Sequence, residues 1–432
     1  MSGSAFIDLS PFRASPAFAR MWIGSTLSGL GGQLTIAAIM LHMFALTGST
    51  FAVSMIAVAG LVPMVFAGLY GGMLADAFDR RKVALLAASV TFCSTVILAV
   101  LAWSGRETEW WLYGLSIVNA SANSIVMATR SAITPRLLPR ELLPAASALG
   151  GITIGIMVMV GPALAGVLVA TTGYAWTYSI DVILMFGLFL GLWTLPALKP
   201  EGEIVRPGLD SLKDGVRFLK RAGNIRVQYL MDIIAMTFGQ PMALLPAIGA
   251  TILGGGPITT GILTAAVAVG AFLSSLFSGP VSRYRWHGRG IERSIIVYGV
   301  TIAVFGAIVL AGWLGFLAPP TVDAAHANVA LIVFACVALA VSGAADNISS
   351  IFRSTMMQAA VPDAMRGRLQ GIFTVVVTGG PRLGALWCGL LATLLAEWFP
   401  PLLGGLIIVV LIAVLARLNP RFRAYDGEHP EP

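Results

Sequence analysis

The sequence predicts an all-α integral membrane protein with twelve transmembrane helices in two parallel six-helix halves. Three observations carry the prediction. Of the 432 residues, 57% are hydrophobic and only 11% charged, against about 25% charged in soluble domains; mean hydropathy is +0.87. The apolar residues fall in runs divided by short polar turns, each run near the roughly 20 residues that a spanning helix needs. Lys and Arg segregate: with both termini inside, Arg106 and Arg382 are the only ones of the 27 that fall outside the inner segments. Cytoplasmic loops retain basic residues, so this pattern requires an even number of spans. It also accounts for the net charge of +7 without a nucleic acid partner.

The elements follow in order. The start, Met1 to Arg20, is polar, contains Pro11 and Pro16, and lacks a signal-peptide cleavage pattern. The first apolar run is too long for a signal h-region and is expected to stay as span 1. The first half is expected to span at 22–46, 51–75, 83–103, 111–133, 145–170 and 174–196, and the second at 227–252, 258–281, 294–317, 327–351, 368–395 and 399–416. Outer turns such as Thr47-Gly48-Ser49-Thr50 and Thr171-Thr172-Gly173 are short and neutral. Trp22, Trp110, Trp111, Trp176 and Trp398 fall at span ends, where interfacial anchors belong, and His42 is read as interfacial near the outer end of span 1. Cys93, Cys336 and Cys388 fall inside spans and read as small packing residues, with no disulfide and no metal site implied.

Residues 197–226 form the longest polar stretch and separate an N-terminal half, 1–196, from a C-terminal half, 227–432. Within that linker, Leu212, Val216 and Leu219 share a helical face, which predicts an amphipathic helix on the inner membrane surface. The halves repeat one pattern. Arg130-Ser131 precedes Pro139 as Arg353-Ser354 precedes Pro362, and Gly161-Pro162-Ala163-Leu164-Ala165-Gly166 aligns with Gly380-Pro381-Arg382-Leu383-Gly384-Ala385. Parallel repeats related by an axis along the membrane normal are a transporter architecture, with the substrate near the midplane.

Ionisable residues inside a bilayer are costly and mark function by default. Asp232 and Asp346 are the favoured pair for proton coupling, with Asp181, nearer the outer surface, as a further candidate, and Arg130, Arg353 and Arg382 as candidate charge partners. A structural ion pair is the alternative role for each acid. Gln33, Asn119, Asn123, Gln240 and Asn347 are candidate pocket residues, since each needs a hydrogen-bond partner in hydrocarbon; interhelical bonding is the alternative. There is no phosphate-binding Gly-Lys-Ser/Thr loop, no His/Cys metal cluster and no acid-His-nucleophile set. Neither a cofactor nor an enzymatic activity is expected.

The segment Gly71 to Lys82 is a charged turn between two apolar runs. Its spacing Gly72-x-Leu74-Ala75-Asp76-x-x-x-Arg80-Arg81 resembles the loop-2/3 signature of the major facilitator superfamily, with Ala77 where a basic residue is usual and Asp79 where Gly is usual. The resemblance implies that Gly72, Asp76, Arg80 and Arg81 act as gate residues. Gly155-x5-Gly161-Pro162-x2-Ala165-Gly166 resembles the helix-5 motif of the superfamily's antiporters, with Ala165 in place of a Gly, and implies proton-coupled export. The whole chain is most similar to the enterobactin-exporter group and related bacterial efflux permeases. Thr47 to Thr50, Gly71 to Leu86, Thr134-Pro135 with Glu141-Leu142, and Thr355-Met356-Met357-Gln358 through Gly367-Arg368 carry that likeness. It implies a monomeric, bacterial-type inner-membrane protein that exports a siderophore or similar secondary metabolite, driven by protons. Multidrug or macrolide efflux is the alternative substrate class. A non-transporting sensor or assembly protein of the same fold is the alternative function.

Overall fold

The computed structural model describes residues 9–196, 217–219, 221–277, 281, 284–316, 327–361, 363–427 and 429, with the side chains at 69, 72, 75, 76, 132, 140, 144, 148 and 363–378 outside the description. Among the described residues every regular element is helical. Nine helical segments among the described residues are long and apolar enough to cross a membrane. The expected amphipathic linker helix lies outside the described residues except at 217–219, where Phe218 and Leu219 pack against the core of the second half.

In chain order the longer helices, leaving aside short ones such as Ser10–Ala14 and Pro420–Arg423, are α1 Pro16–Thr47, α2 Thr50–Ala59, α3 Leu61–Ala77, α4 Arg80–Ser104, α5 Glu109–Leu137 and α6 Leu143–Trp193. They continue as α7 Gly223–Phe238, α8 Gly256–Leu276, α9 His287–Trp313, α10 Val329–Ala360, α11 Asp363–Leu394 and α12 Phe399–Leu418. Local chemistry sets their ends. The Asp79 carboxylate caps α4 by accepting from the Arg81 N–H at 3.0 Å. Gly105 closes the same helix in the left-handed region, φ 60°. In α6, Gly173 has φ 83° and ψ 176°, so the chain turns there and the element is two arms, 143–172 and 174–193.

Two predicted spans are broken. The second divides at Gly60 into α2 and α3. Pro63 lacks an N–H, so the Ala59 carbonyl loses its helical partner, and Gly60 tolerates the bend. The span expected at 227–252 breaks after Gly239 into a 3-10 turn, Pro241–Leu244, and ends in a π-helical stretch, Ile248–Ile252. Pro241 and Pro246 prevent a continuous ladder. The Gly239 carbonyl, released at the break, accepts from the buried Tyr298 hydroxyl.

The described residues group into two compact units, one within Met1–Thr47 and Ala59–Arg206, the other within Gly48–Val58 and Pro207–Pro432. The strip Gly48–Val58 is bound into the second unit by side chains of α11. Thr50 and Thr393 share a hydroxyl contact at 3.2 Å, and Gly389 has no side chain to displace Ser54. In the first unit, Phe18, Met21, Ala84, Ala87, Ile133 and Leu192 belong to one core. Its helices approach through small residues: Gly24 of α1 sits directly on the Gly187 backbone of α6, and Gly191 sits on Arg20 and Met21. Close backbone approach of this kind drives helix association where lipid removes the hydrophobic incentive.

A methyl group at Gly24 would meet the Gly187 carbonyl, whereas one at Gly32 would meet nothing within 4 Å. Gly24→Ala is therefore expected to cost about 1–3 kcal/mol and Gly32→Ala less than about 0.5 kcal/mol. Thermal unfolding of the two variants in the same detergent checks the contrast.

Candidate functional site

The first unit contains a cavity of about 210 Å³ into which α1, α4, α5 and α6 each send polar groups. From α1 come Ser25, Ser28, Gly29, Gly32 and Gln33, spaced three and four apart along one face. From α5 come Asn119, Asn123 and Arg130, and from the second arm of α6 comes Asp181. Five residues singled out from the sequence, Gln33, Asn119, Asn123, Arg130 and Asp181, thus line one space. The rest of the wall includes Ile36, Val126, Ile154 and the thioethers of Met127, Met157 and Met185.

Asp181 is only 1% exposed. Thr35 Oγ1 donates to its Oδ2 at 2.5 Å. Thr95 flanks the same carboxylate, but Oδ1 has no hydrogen-bond partner of ordinary geometry. Gly31 leaves room for that oxygen, since any side chain there would collide with it. Asn119 Nδ2 donates to both Ser94 Oγ and Thr95 Oγ1 at 3.3 Å. Arg130 Nε is buried without a hydrogen-bond partner among the described residues. A buried polar atom left unpaired costs roughly 1–3 kcal/mol, so this cavity holds groups with bonding capacity in reserve.

Met157 and Val158, between Gly155 and Gly161 of the helix-5 motif, form part of the same wall. Gly161 of α6 lies against Gln33, which its missing side chain lets approach. Pro162 and Gly166 are buried beside it and Gly155 is half-buried. At the loop motif, Arg81 lies over the Trp193 ring, 6.0 Å from its centroid. Arg80 starts α4. Gly72 and Asp76 lie outside the described side chains.

The second unit arranges its charges differently. Asp232 of α7, 1% exposed, forms an ion pair with Arg353 of α10. Arg353 Nη2 also donates to Asp346 Oδ1 at 3.3 Å, where the Asp346 side chain remains 38% exposed. Gln228 Nε2 holds the Arg353 carbonyl at 3.1 Å. Asn347 donates to Ser274 and Ser275 at 2.9 Å. Gln240, at the break after α7, reaches Met236 Sδ. Arg382 Nη1 donates to the Ala57 carbonyl at 2.9 Å.

Ser25, Thr35, Thr91, Thr95 and Met157 were not singled out from the sequence. Hydroxyls count as ordinary span residues in hydropathy, because they can bond their own backbone. The legible signal was the spacing Ser25-x-x-Ser28-Gly29-x-x-Gly32-Gln33, a polar and small stripe along α1.

A family model described as transmembrane secretion effector matches residues 7–432. The chain is 27% identical to the enterobactin exporter EntS of Escherichia coli O157:H7, over 98% of its own length and 99% of the relative's. The same identity and coverage hold for the enterobactin exporter EntS of Shigella boydii serotype 18 (strain CDC 3083-94 / BS512). A solved POT family transporter in complex with 5-aminolevulinic acid superposes with a TM-score of 0.72 at 10% identity, over 94% of this chain and 97% of that one. A D-xylose-proton symporter gives 0.67 at 14% identity, over 92% and 97%. At such identities these structures speak for the fold.

Removing one partner of a buried pair strands the other charge. Asp232→Asn is expected to destabilise the protein by about 3–5 kcal/mol, while Asp346→Asn, which leaves Arg353 paired with Asp232, costs less. Denaturant unfolding in detergent checks the order. A joint replacement of Asp232 and Arg353 by Leu and Met recovers most of the first loss.

Proposed function

The chain belongs to the transmembrane secretion effector family of major facilitator transporters, and we propose that it exports a siderophore or similar secondary metabolite in exchange for protons. Transport proceeds by alternating access of two six-helix bundles, twelve spans in all, in a bacterial-type inner membrane with both termini in the cytoplasm. The cavity of the first unit carries the reading. It gathers a carboxylate whose Oδ1 lacks a hydrogen-bond partner of ordinary geometry, a guanidinium whose Nε lacks one, and the amides of Gln33, Asn119 and Asn123 in one space. A carboxyl with spare bonding capacity beside a solute site can exchange a proton for a solute, because each occupant disfavours the other.

Asp181 is the coupling acid in this reading. The second unit's acids have a different part. Asp232 is committed to Arg353 and serves as a structural pair, while the exposed face of Asp346 leaves it able to change partner. Arg130 and the amides bind oxygen-rich groups of the solute. Gly72, Asp76, Arg80 and Arg81 act as the cytoplasmic gate, and the glycines around Pro162 let α6 move against α1. The EntS relatives support a siderophore as the solute. The Met127, Met157 and Met185 wall favours a second reading, efflux of varied amphiphilic drugs, since flexible thioethers adapt to many shapes.

Deletion in the source cell under iron limitation, with culture fluid and cytosol profiled, tests the substrate class. Loss of an iron chelator from the fluid with accumulation inside is the expected result. Unchanged chelator secretion with lower drug resistance transfers the reading to efflux. Asp181→Asn is expected to reduce gradient-driven export at least fiftyfold in inverted vesicles while the protein still unfolds at its normal temperature. Export that persists in this variant removes Asp181 from the coupling step.

A further inference from the structure

At one end of the first unit lies a second buried cluster that the export reading leaves unused. His42 of α1 is 2% exposed, although its sequence position suggested an interfacial residue. Its ring stacks on Tyr174 with centroids 4.0 Å apart and planes within 5°. His42 Nδ1 meets the Tyr178 hydroxyl at 3.2 Å, and His42 Nε2 meets Glu107 Oε1 at 3.5 Å. Both ring nitrogens are therefore engaged, one by a phenol and one by a carboxylate. The Glu107 side chain is 20% exposed, so it is the member that reaches water, while its Oε2 has no hydrogen-bond partner among the described residues. Tyr178 is fully buried. No other ionisable group of α1 competes, since Arg20 lies at its far end and bonds Thr194.

The cluster is in register with the cavity. Tyr178 and Asp181 are three apart on the second arm of α6, so their side chains are neighbours on one face, with Cβ atoms about 5–6 Å apart. His42 and Thr35 are seven apart on α1, again on one face, and Thr35 is the residue that donates to Asp181. The two helices thus carry paired groups at two levels: His42 and Tyr178, met by Glu107 of the loop before α5, at the end of the unit, and Thr35 and Asp181 beside the cavity.

We propose that Glu107, His42 and Tyr178 form the proton entry path to Asp181 from the outer side of the membrane. The inference rests on the proton-coupled reading of Asp181 and on the topology that places the loop before α5 outside. The Glu107 carboxylate takes a proton from water and passes it to His42 Nε2. The imidazolium releases its Nδ1 proton to the Tyr178 oxygen. As it does so, the phenol gives up its own proton toward the Asp181 carboxylate, its neighbour three residues along α6. Glu107 and Tyr178 end as they began, Asp181 is protonated, and His42 carries its proton on Nε2 in place of Nδ1. Tyr174 holds the ring by stacking and takes no proton.

The test uses the full chain in proteoliposomes and the proton itself as the probe. The external pH is dropped by rapid mixing, and protonation of Asp181 is followed by its carboxylic C=O infrared band, assigned with Asp181→Asn. His42→Gln and Glu107→Gln are expected to slow the appearance of the band at least tenfold without changing its final amplitude or position. Glu107→Gln keeps the shape of a partly exposed side chain, so it reports even if the His42 variant folds poorly. An unchanged rate in both variants overturns the path. A change in amplitude or position together with rate assigns the cluster to packing and overturns it as well. If Asp181→Asn leaves the whole infrared signal in place, Asp181 takes up no proton, and the coupling reading falls together with the path.

Discussion

Hydrocarbon offers no partner to a polar atom, and the rest of this structure depends on how that constraint is met. Backbone groups meet it by forming helices. Side chains meet it in two ways, one in each unit. In the second unit the buried charges bind one another: Asp232 with Arg353, and Arg353 with Asp346. In the first unit Asp181 and Arg130 line one cavity, and in both units some buried polar atoms lack partners among the described residues, including Gln228 Oε1 and Arg353 Nε of the second. Asp181 has one oxygen on Thr35 and one without a partner of good geometry, and Arg130 keeps a buried N–H in reserve. The second unit is thus braced by ion pairs around Arg353, while the first gathers its acid and its guanidinium along one cavity.

The internal repeat makes that contrast sharper. Arg130 and Arg353 occupy corresponding places in the Arg-Ser pattern of the two halves. Arg353 found a carboxylate on α7. Arg130 faces a cavity lined with amides and small residues. The glycines follow the same logic, since those at 24, 31 and 161 set how closely α1 and α6 approach and hence where Gln33 and Asp181 point.

Much of this was legible in the sequence, for physical reasons. Hydropathy and the bias of Lys and Arg depend on the membrane alone, so the apolar helices and the membrane class could be read directly. A charge or amide in an apolar run is costly wherever it stands, which is why Gln33, Asn119, Asn123, Arg130 and Asp181 could be picked out before their convergence was visible. What hydropathy does not encode is facing. His42 looked interfacial from its distance to the span end, yet it is sealed between Tyr174 and Tyr178. The hydroxyls of Thr35 and Thr95 were invisible because Thr passes for an ordinary span residue until an acid is placed beside it. The break at Gly239 is written in Pro241 and Pro246, but its partner, the Tyr298 hydroxyl, lies far away in sequence.

The division of the second span at Gly60 bears on how the chain can be cut. Hydropathy and the polar stretch 197–226 invite a fragment ending there, as if the halves were modules. Yet Gly48–Val58 belongs by its packing to the second unit, with Thr50 on Thr393 and the Ala57 carbonyl on Arg382. An N-terminal fragment would carry that strip stripped of its neighbours, and the complementary C-terminal fragment would have an open slot on α11. The break therefore makes the two units interdependent in biogenesis: the second cannot complete its packing without a piece of chain synthesised long before it.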